Sequence, residues 1–243
     1  MPPPAKCALI KGFNAFTLAE VLITLGIIGV VAALTIPTLV ANHRKTVVET
    51  RLAKFYSTIN QAILMAENDY GDRSTWEEVG QGTNKDENGN ILSSKAEDWF
   101  NKYLKPYLNY SKAEYDGNSE GKIVVYFTDG SLVMISNSSF LFYPQAKDYE
   151  KIEQDDSINR NHDLCGTKYF TFMFNPFDNT AANKYHYKKG VEPYKYNWNG
   201  TEDMLWNNNT IGCKKEVSNE RAYCTALIQM NGWKIPKNYP LRF

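Results

Sequence analysis

The longest apolar run of the chain lies near its amino terminus and covers residues 16–36. Its 21 residues include one ionisable side chain, Glu20, and no Lys or Arg. A helix of about 20 apolar residues is long enough to cross the hydrocarbon core of a bilayer. A charge inside that core is costly unless something pairs with it. The pattern therefore predicts a membrane-spanning helix in which Glu20 has a partner.

A different pattern follows Pro37, which removes one backbone donor and is expected to bend or loosen the helix. Apolar residues recur there at helical spacing, with Glu49 off the stripe. Gly71 is a suitable stop signal. We therefore expect one nearly continuous helix over residues 16–70, whose second half packs on a sheet. The residues of the predicted stripe are Val48, Leu52, Phe55, Tyr56, Ile59 and Ile63.

Polar segments separate the remaining elements. Residues 71–93 and 111–121 are rich in polar residues and Gly, and they predict loops. Between them, Ser94 opens a capping box (Ser-Lys-Ala-Glu) and predicts a helix with Trp99 on its buried face. A second short helix is predicted within residues 218–230.

Short runs of β-branched and aromatic residues predict antiparallel strands. Residues 122–127 and 131–136 flank an Asp-Gly pair, which is a strong hairpin signal. Residues 140–143 predict a third strand, and the alternation of Phe170, Phe172 and Phe174 predicts a half-buried fourth. One long helix followed by a meander of antiparallel strands predicts an α+β head.

Residues 175–209 show little periodicity, and a loop of this length is unusual in a compact domain. Its aromatic rings have two interpretations. They form a surface that recognises a glycan or a protein partner, or they pack the loop onto the sheet, which we favour. The rings are those of Tyr185, Tyr187, Tyr194, Tyr196, Trp198 and Trp206.

An odd number of cysteines follows the apolar run. Cys7 precedes the apolar run, which leaves Cys165, Cys213 and Cys224 after it. Export into an oxidising compartment would favour one disulfide and one free or intermolecular thiol. Cys213 and Cys224 enclose a short loop, so we predict that they pair and that Cys165 stays free and buried near the Phe-rich strand. No spacing is that of a zinc site.

The composition and motifs do not favour catalysis or nucleic-acid binding. The formal net charge is zero, with 27 basic and 27 acidic residues, so no nucleic-acid partner is expected. The histidines His43, His162 and His186 are scattered, and no hydrolase, nucleotide-binding or metalloprotease motif is present. The Asp- and Asn-rich residues 85–90 and 178–183 match no calcium loop and are interpreted as solvated turns. We expect no enzyme, no metal and no cofactor.

The amino-terminal motif resembles that of a known family. A short basic leader, then Phe-Thr-Leu-x-Glu, then an apolar helix, is similar to the class III signal of type IV pilins and type II secretion pseudopilins. The family usually has Gly before the cleaved bond, where this chain has Ala15. Pro37 stands where such helices often kink. The matching residues are Phe16, Thr17, Leu18 and Glu20.

The resemblance implies a fold, a location and partners. Residues 1–15 would be a leader that prepilin peptidase removes between Ala15 and Phe16, with methylation of the new Phe16 amine. Residues 16–41 would form the transmembrane and assembly helix, and residues 42–243 a pilin-like head outside the bacterial inner membrane. The expected function is a structural subunit of a type IV pilus or a type II secretion pseudopilus, built from copies of itself or other pilins.

Other interpretations of the same residues remain. An ordinary signal peptide could use Val31-Ala32-Ala33 as its cleavage site, although Glu20 inside the apolar core argues against it. A plain single-pass anchor explains the length but not the Phe-Thr-Leu-x-Glu spacing. The flanking positive charges do not by themselves favour a cytoplasmic leader, so the orientation follows from the resemblance. The alternative function is a membrane-tethered binding protein that uses the aromatic-rich loop.

Overall fold

The computed structural model describes residues 16–115, 121–154 and 164–243 of the chain. The chain divides into two compact units, Met1–His43 and Arg44–Phe243. Helices and antiparallel strands both contribute, and an apolar helix lies near the amino terminus, so the predicted α+β class is confirmed.

Helix α1 spans Leu18–Tyr70 and continues through Pro37. It ends just before Gly71, whose φ of +78° is a left-handed conformation that Gly adopts without strain. The predicted stripe in its second half is confirmed, except that Tyr56 is only half-buried. The buried apolar residues of this stripe are Val48, Leu52, Phe55, Ile59, Ala62, Ile63 and Ala66.

The expectation that Glu49 lies off the buried stripe is wrong. Glu49 is only 9 % exposed. One carboxylate oxygen accepts a hydrogen bond from the backbone N of Ile235 at 2.9 Å, and the other lies 3.0 Å from Lys234 Nζ. These donors replace the water that a buried carboxylate loses. They lie far along the chain, so helical periodicity could not reveal them.

The remaining elements are short. Two 3₁₀ turns lie at Arg73–Thr75 and Lys105–Tyr107. In chain order the strands and helices are β1 (Thr83–Lys85), β2 (Ile91–Ser94), α2 (Lys95–Tyr103), β3 (Lys112–Tyr115), β4 (Ile123–Tyr126), β5 (Leu132–Ser136), β6 (Ser139–Tyr143), α3 (Ala146–Gln154), β7 (Phe170–Met173), β8 (Glu192–Pro193), α4 (Glu202–Asn207) and α5 (Cys224–Met230).

Strands β3 to β8 form a six-stranded antiparallel sheet in sequential order, as a meander requires. The predicted hairpin is β4–β5, in which Ile123 faces Ile135 and Tyr126 faces Leu132. Gly130 has a φ of +79° in its turn, and Ser131 donates its backbone N–H to Asp129 Oδ1 at 3.0 Å. The predicted strand at residues 140–143 is β6.

Ser94 is the N-cap of α2, as the predicted capping box requires of its first residue. Ser94 Oγ accepts a hydrogen bond from the backbone N of Glu97 at 2.9 Å, and the helix ends at Tyr103, before the 3₁₀ turn that contains Pro106. Such a cap contributes on the order of 1 kcal/mol to stability. Trp99 is buried, as the pattern predicts, and so is Tyr103.

Two predicted loops contain strands. Residues 71–93 include β1 and most of β2, which pair as a separate hairpin, and residues 111–121 include β3 at the edge of the large sheet. These strands are mostly polar and mostly exposed. Backbone hydrogen bonds to a neighbouring strand hold them in place. Because side-chain burial contributes little, their sequences show no alternation of apolar and polar residues.

Strand β7 is buried on both faces, and the prediction of a half-buried strand is wrong. Phe170 and Phe172 belong to the core that includes the α1 stripe. Thr171 points into a second cluster, where its hydroxyl lies 3.6 Å from Cys165 Sγ. That second cluster also contains Tyr143 and Tyr169.

The carboxy-terminal elements are shorter than predicted. Helix α5 begins at Cys224, because the residues before it pair with an irregular segment instead: the backbone N of Ser218 donates to Asn209, and that of Tyr223 to Ile211. Residues 175–209 contain β8 and α4, where a loop was expected. Residues 231–243 contain turns but no helix or strand.

Aromatic rings form the contact between α1 and the sheet. Phe55 stacks on Phe142 with ring centroids 4.4 Å apart and makes edge contacts with Phe127 and Phe172 at 6.0 and 5.1 Å. Phe55 is 4 % exposed. Such pairs add to the free energy of burying the rings.

We predict that Phe55→Ala lowers the free energy of unfolding by about 3–5 kcal/mol, since it leaves a cavity at this contact. Lys54→Ala is the matched control. Its ammonium pairs with Asp129 at 2.8 Å, but the side chain is 56 % exposed, so the loss should stay below about 1 kcal/mol. Urea unfolding of the full-length chain in detergent, followed by tryptophan fluorescence, measures both. If both variants lost the same free energy of unfolding, the conclusion that Phe55 is central to the contact between α1 and the sheet would be wrong.

Candidate functional site

The amino-terminal apolar segment is the candidate site, and its side chains are exposed within this chain. Residues 18–30 are all exposed, and most of the rest up to Ile36 are too. The helix is long and apolar enough to cross a membrane. The described residues of the chain do not cover this surface, and a bilayer would remove it from water.

The four polar side chains of this segment are hydrogen-bonded inside it. Thr24 Oγ1 donates to the Val21 carbonyl at 2.9 Å, and Thr35 Oγ1 donates to the Val31 carbonyl at 2.9 Å. The other two, Thr17 and Glu20, bind each other. Because polar groups without partners are costly in hydrocarbon, this pairing suits a segment surrounded by lipid.

Thr17 and Glu20 form a capping box at the start of α1. The backbone N and the hydroxyl of Thr17 both donate to Glu20 Oε2 at 2.8 Å, and the backbone N of Glu20 donates to Thr17 Oγ1 at 3.2 Å. The arrangement satisfies donors that a helix start leaves open. Thr-x-x-Glu is the sequence signature of this box, so the cap was present in the sequence and was missed there.

The capping box changes the interpretation of Glu20. The sequence predicts a partner for its charge, and Thr17 supplies two local donors. Both of those donors reach Oε2. Oε1 receives no hydrogen bond from any residue that the structure describes. The carboxylate therefore has one oxygen that a second molecule can reach.

The remaining residues of interest in this region are exposed, or they lie outside the residues that the structure describes. Phe16 is 85 % exposed. Ala15, and with it the predicted cleavage bond, lies outside the described residues. A methyl group built on Gly26 or Gly29 would meet nothing within 4 Å in this chain. Pro37 lies inside α1, one residue after the segment ends.

The cysteine prediction is confirmed. Cys213 and Cys224 form a disulfide, and Cys165 is free and fully buried. Cys165 lies against Thr171 of β7, a strand rich in Phe, as expected. Burial raises the pKa of the Cys165 thiol to about 12, which makes it a poor nucleophile at neutral pH.

The aromatic residues of 175–209 mostly pack into the head. Five of the six predicted rings are partly buried, while Tyr196 is 37 % exposed. Tyr194, Trp198 and Trp206 pack against a core cluster that contains both disulfide cysteines. This arrangement agrees with the packing interpretation.

A polar network that sequence reasoning missed lies beneath these rings. Lys195 Nζ donates to Tyr185 Oη at 3.0 Å and to Gln229 Oε1 at 3.3 Å. Glu192 Oε2 accepts from Tyr185 Oη at 3.1 Å and from Gln229 Nε2 at 3.4 Å. Tyr56 Oη donates to Glu192 Oε1 at 2.9 Å. The five residues come from three distant stretches of sequence, so no local motif indicates the network.

Burial controls the protonation of this region. Lys195 is 4 % exposed, and desolvation lowers its pKa to about 8. His186 is fully buried, and desolvation lowers its pKa to about 3, so it stays neutral. Its Nε2 accepts a hydrogen bond from the backbone N of Lys195 at 3.1 Å. His186 therefore positions a loop and is not an acid–base group at neutral pH.

The two acidic stretches form turns, as the sequence suggests. Asp86 accepts hydrogen bonds from the backbone N of Asn88 and of Asn90, and Asp178 accepts from the backbone N of Thr180. Within the described residues, no group of three or more His, Cys, Asp or Glu side chains could hold a metal ion.

Comparisons with known proteins give one match. A model described as "Family of unknown function (DUF6613)" matches residues 38–243. No curated protein and no solved structure matches the chain. The matched range begins just after the apolar segment and Pro37.

We predict that replacing both Cys213 and Cys224 by Ser lowers the free energy of unfolding by about 2–3 kcal/mol, because the reduced chain gains conformational entropy when unfolded. Urea unfolding of the full chain measures the loss. Dithiothreitol should destabilise the natural protein by a similar amount and leave the double variant unchanged. Non-reducing peptide mapping that finds Cys165 bonded to either cysteine would contradict the pairing.

Proposed function

The chain belongs to the DUF6613 family, and we propose that it is a structural subunit of a type IV pilus or a type II secretion pseudopilus. One observation carries the proposal: Phe-Thr-Leu-x-Glu stands at the start of an exposed apolar helix that is long enough to cross a membrane. The resemblance to prepilins links such a segment to two successive environments, the bilayer and a filament. Both would cover its apolar surface.

The proposed pathway begins in the bacterial inner membrane. The precursor spans the membrane once, with residues 1–15 in the cytoplasm and the head outside. Prepilin peptidase cuts between Ala15 and Phe16 and methylates the Phe16 amine. The disulfide between Cys213 and Cys224 supports a head outside the cytoplasm, since such bonds persist in oxidising compartments.

Glu20 has a defined role in this proposal. Thr17 occupies Oε2, and Oε1 accepts the ammonium group of Phe16 from a neighbouring subunit. The attraction between opposite charges is much stronger in an apolar bundle than in water, although desolvation offsets much of the gain. The pair therefore acts mainly as a register device that sets the stagger between subunits.

The alternative function is a membrane-tethered protein that binds a glycan or a surface partner through residues 175–209. The packing of the aromatic rings in these residues does not support it. Most of the rings that such a site would use are directed into the head. Stacking on a sugar needs an accessible ring face. Tyr196 alone among the six predicted rings is exposed.

We predict that the mature protein begins at Phe16 and carries a methyl group on its amine. Mass spectrometry of the amino-terminal peptide, from the protein made in its own cells, measures both. A strain that lacks prepilin peptidase is the control and should retain the leader. An intact leader in the normal strain, or a terminus near residue 34, would contradict the proposal.

We predict that Glu20→Leu abolishes filament incorporation and leaves the head stable. Losing one member of a buried ion pair costs about 3–5 kcal/mol, and this loss is repeated at every subunit contact. Filament incorporation is measured by immunoblot of sheared filaments. Membrane insertion and the thermal unfolding of the full chain in detergent should be unchanged.

Two matched variants separate pairing from capping. Glu20→Gln keeps an acceptor for the capping box but removes the charge, so it should fail to assemble as Glu20→Leu does. Thr17→Ala removes the two capping bonds made by Oγ1, at about 0.5–2 kcal/mol, but keeps the backbone N–H donor of residue 17 and the charge, so it should still assemble. If Glu20→Gln assembles normally and Thr17→Ala does not, the carboxylate acts as a cap alone.

A further inference from the structure

Four polar side chains in the head form a closed ring of hydrogen bonds. Lys195 Nζ contacts Tyr185 Oη and Gln229 Oε1, while Glu192 Oε2 contacts the same Tyr185 Oη and Gln229 Nε2. The side-chain amide of Gln229 thus lies between an amine and a carboxylate. Its carbonyl is on the amine side, and its NH₂ group is on the carboxylate side.

We propose that this ring is a self-modification site, at which Lys195 and Gln229 join in an intramolecular isopeptide bond with Tyr185 and Glu192 as the proton relay. The proposal is independent of the filament function, since all four residues lie in the unit Arg44–Phe243. It requires no cofactor, metal or oxidant.

The surroundings favour the amine as a nucleophile. The rings of Tyr185 and Trp198, with centroids 4.1 and 4.7 Å from Lys195 Nζ, keep water from the amine. Ring faces attract a charged ammonium, but the loss of hydration outweighs this attraction, since the pKa of Lys195 is lowered. Burial lowers the pKa of Lys195 to about 8, so roughly a tenth of the molecules carry a neutral amine at pH 7. Desolvation in an apolar pocket is a general way of activating a lysine. Nζ lies 3.3 Å from the carbonyl oxygen of the amide it would attack.

The reaction balances without another reactant. The neutral Lys195 amine attacks Gln229 Cδ, and the Nζ–Cδ bond forms. Tyr185 Oη passes a proton from Nζ to Glu192 Oε2, and Glu192 delivers it to Gln229 Nε2. The Cδ–Nε2 bond then breaks, ammonia leaves, and Glu192 returns to its starting form. A relay of this kind needs each donor within hydrogen-bond reach of the next acceptor, which the ring provides.

The arrangement differs from one that serves stability alone. A stabilising buried pair would place the ammonium directly against the carboxylate. In the described structure no ion pair joins Lys195 to Glu192 within 4.0 Å. The Gln229 amide and the Tyr185 hydroxyl separate them instead. This separation leaves the amide with the nucleophile on one side and the proton carrier on the other.

The bond would tie two segments that a disulfide already links nearby. Lys195 follows β8, and Gln229 lies near the end of α5. The resulting loop encloses Cys213 and Cys224. Cross-linking two positions restricts the unfolded chain, so the region should resist unfolding after reduction.

Mass spectrometry of the purified full-length chain, reduced and in detergent, tests the proposal. The bond removes ammonia, so the natural protein should be lighter than its sequence by about 17 Da. Gln229→Glu is the matched control, because its carboxylate has no amide to lose. The natural protein should be lighter than this variant by about 18 Da instead of about 1 Da, and this difference does not depend on amino-terminal processing.

Tryptic digestion locates the bond. We expect a branched peptide in which Lys195 is uncut and joined to the peptide that contains Gln229. Lys195→Arg and Glu192→Gln should lack the branch while still forming the disulfide between Cys213 and Cys224, which reports folding. An unmodified natural protein, an ammonia loss at an Asn residue instead, or normal branching in Glu192→Gln would each overturn the proposal.

Discussion

The head depends on the burial of the α1 stripe from Val48 to Ala66. Phe55 stacks on the sheet at the centre of this contact. Polar residues of the same helix hold separate segments: the Arg51 guanidinium donates to the carbonyls of Asp129 and Pro144, and Asn60 Nδ2 donates to the Val191 carbonyl at 2.8 Å. One helix thus anchors the hairpin and the β8 segment, and through Glu49 it also anchors the carboxy-terminal tail.

The amino-terminal part of α1 differs from this second half in both its apolar and its polar side chains. Its apolar side chains stay exposed, and its polar side chains, such as Thr24 and Thr35, bind only atoms of the same segment. Water is a poor solvent for such a surface, whereas lipid or the apolar surface of another helix is a good one. The change in apolar pattern near Pro37 marks, in the sequence, the transition between the exposed apolar segment and the buried stripe.

Sequence patterns predict those parts of the fold whose causes are local. Helical spacing reveals the α1 stripe, the Asp-Gly turn reveals the β4–β5 hairpin, and a short loop suggests the disulfide. The burial of Glu49 and the ring around Gln229 depend on partners far away in sequence, which periodicity cannot detect. The mostly polar edge strand β3 escapes detection because backbone pairing, which is nearly independent of side-chain type, holds it.

The capping box and the proposed pairing of Glu20 use different oxygens of one carboxylate and are therefore compatible. Thr17 fixes Oε2 through two hydrogen bonds of 2.8 Å, so the side chain loses rotational freedom before a neighbour arrives. Prior ordering reduces the entropy that is lost on association. A carboxylate at the start of a helix also faces the positive end of the helix dipole. The cap therefore favours one position of the charge, which assists the proposed pairing without being required for it.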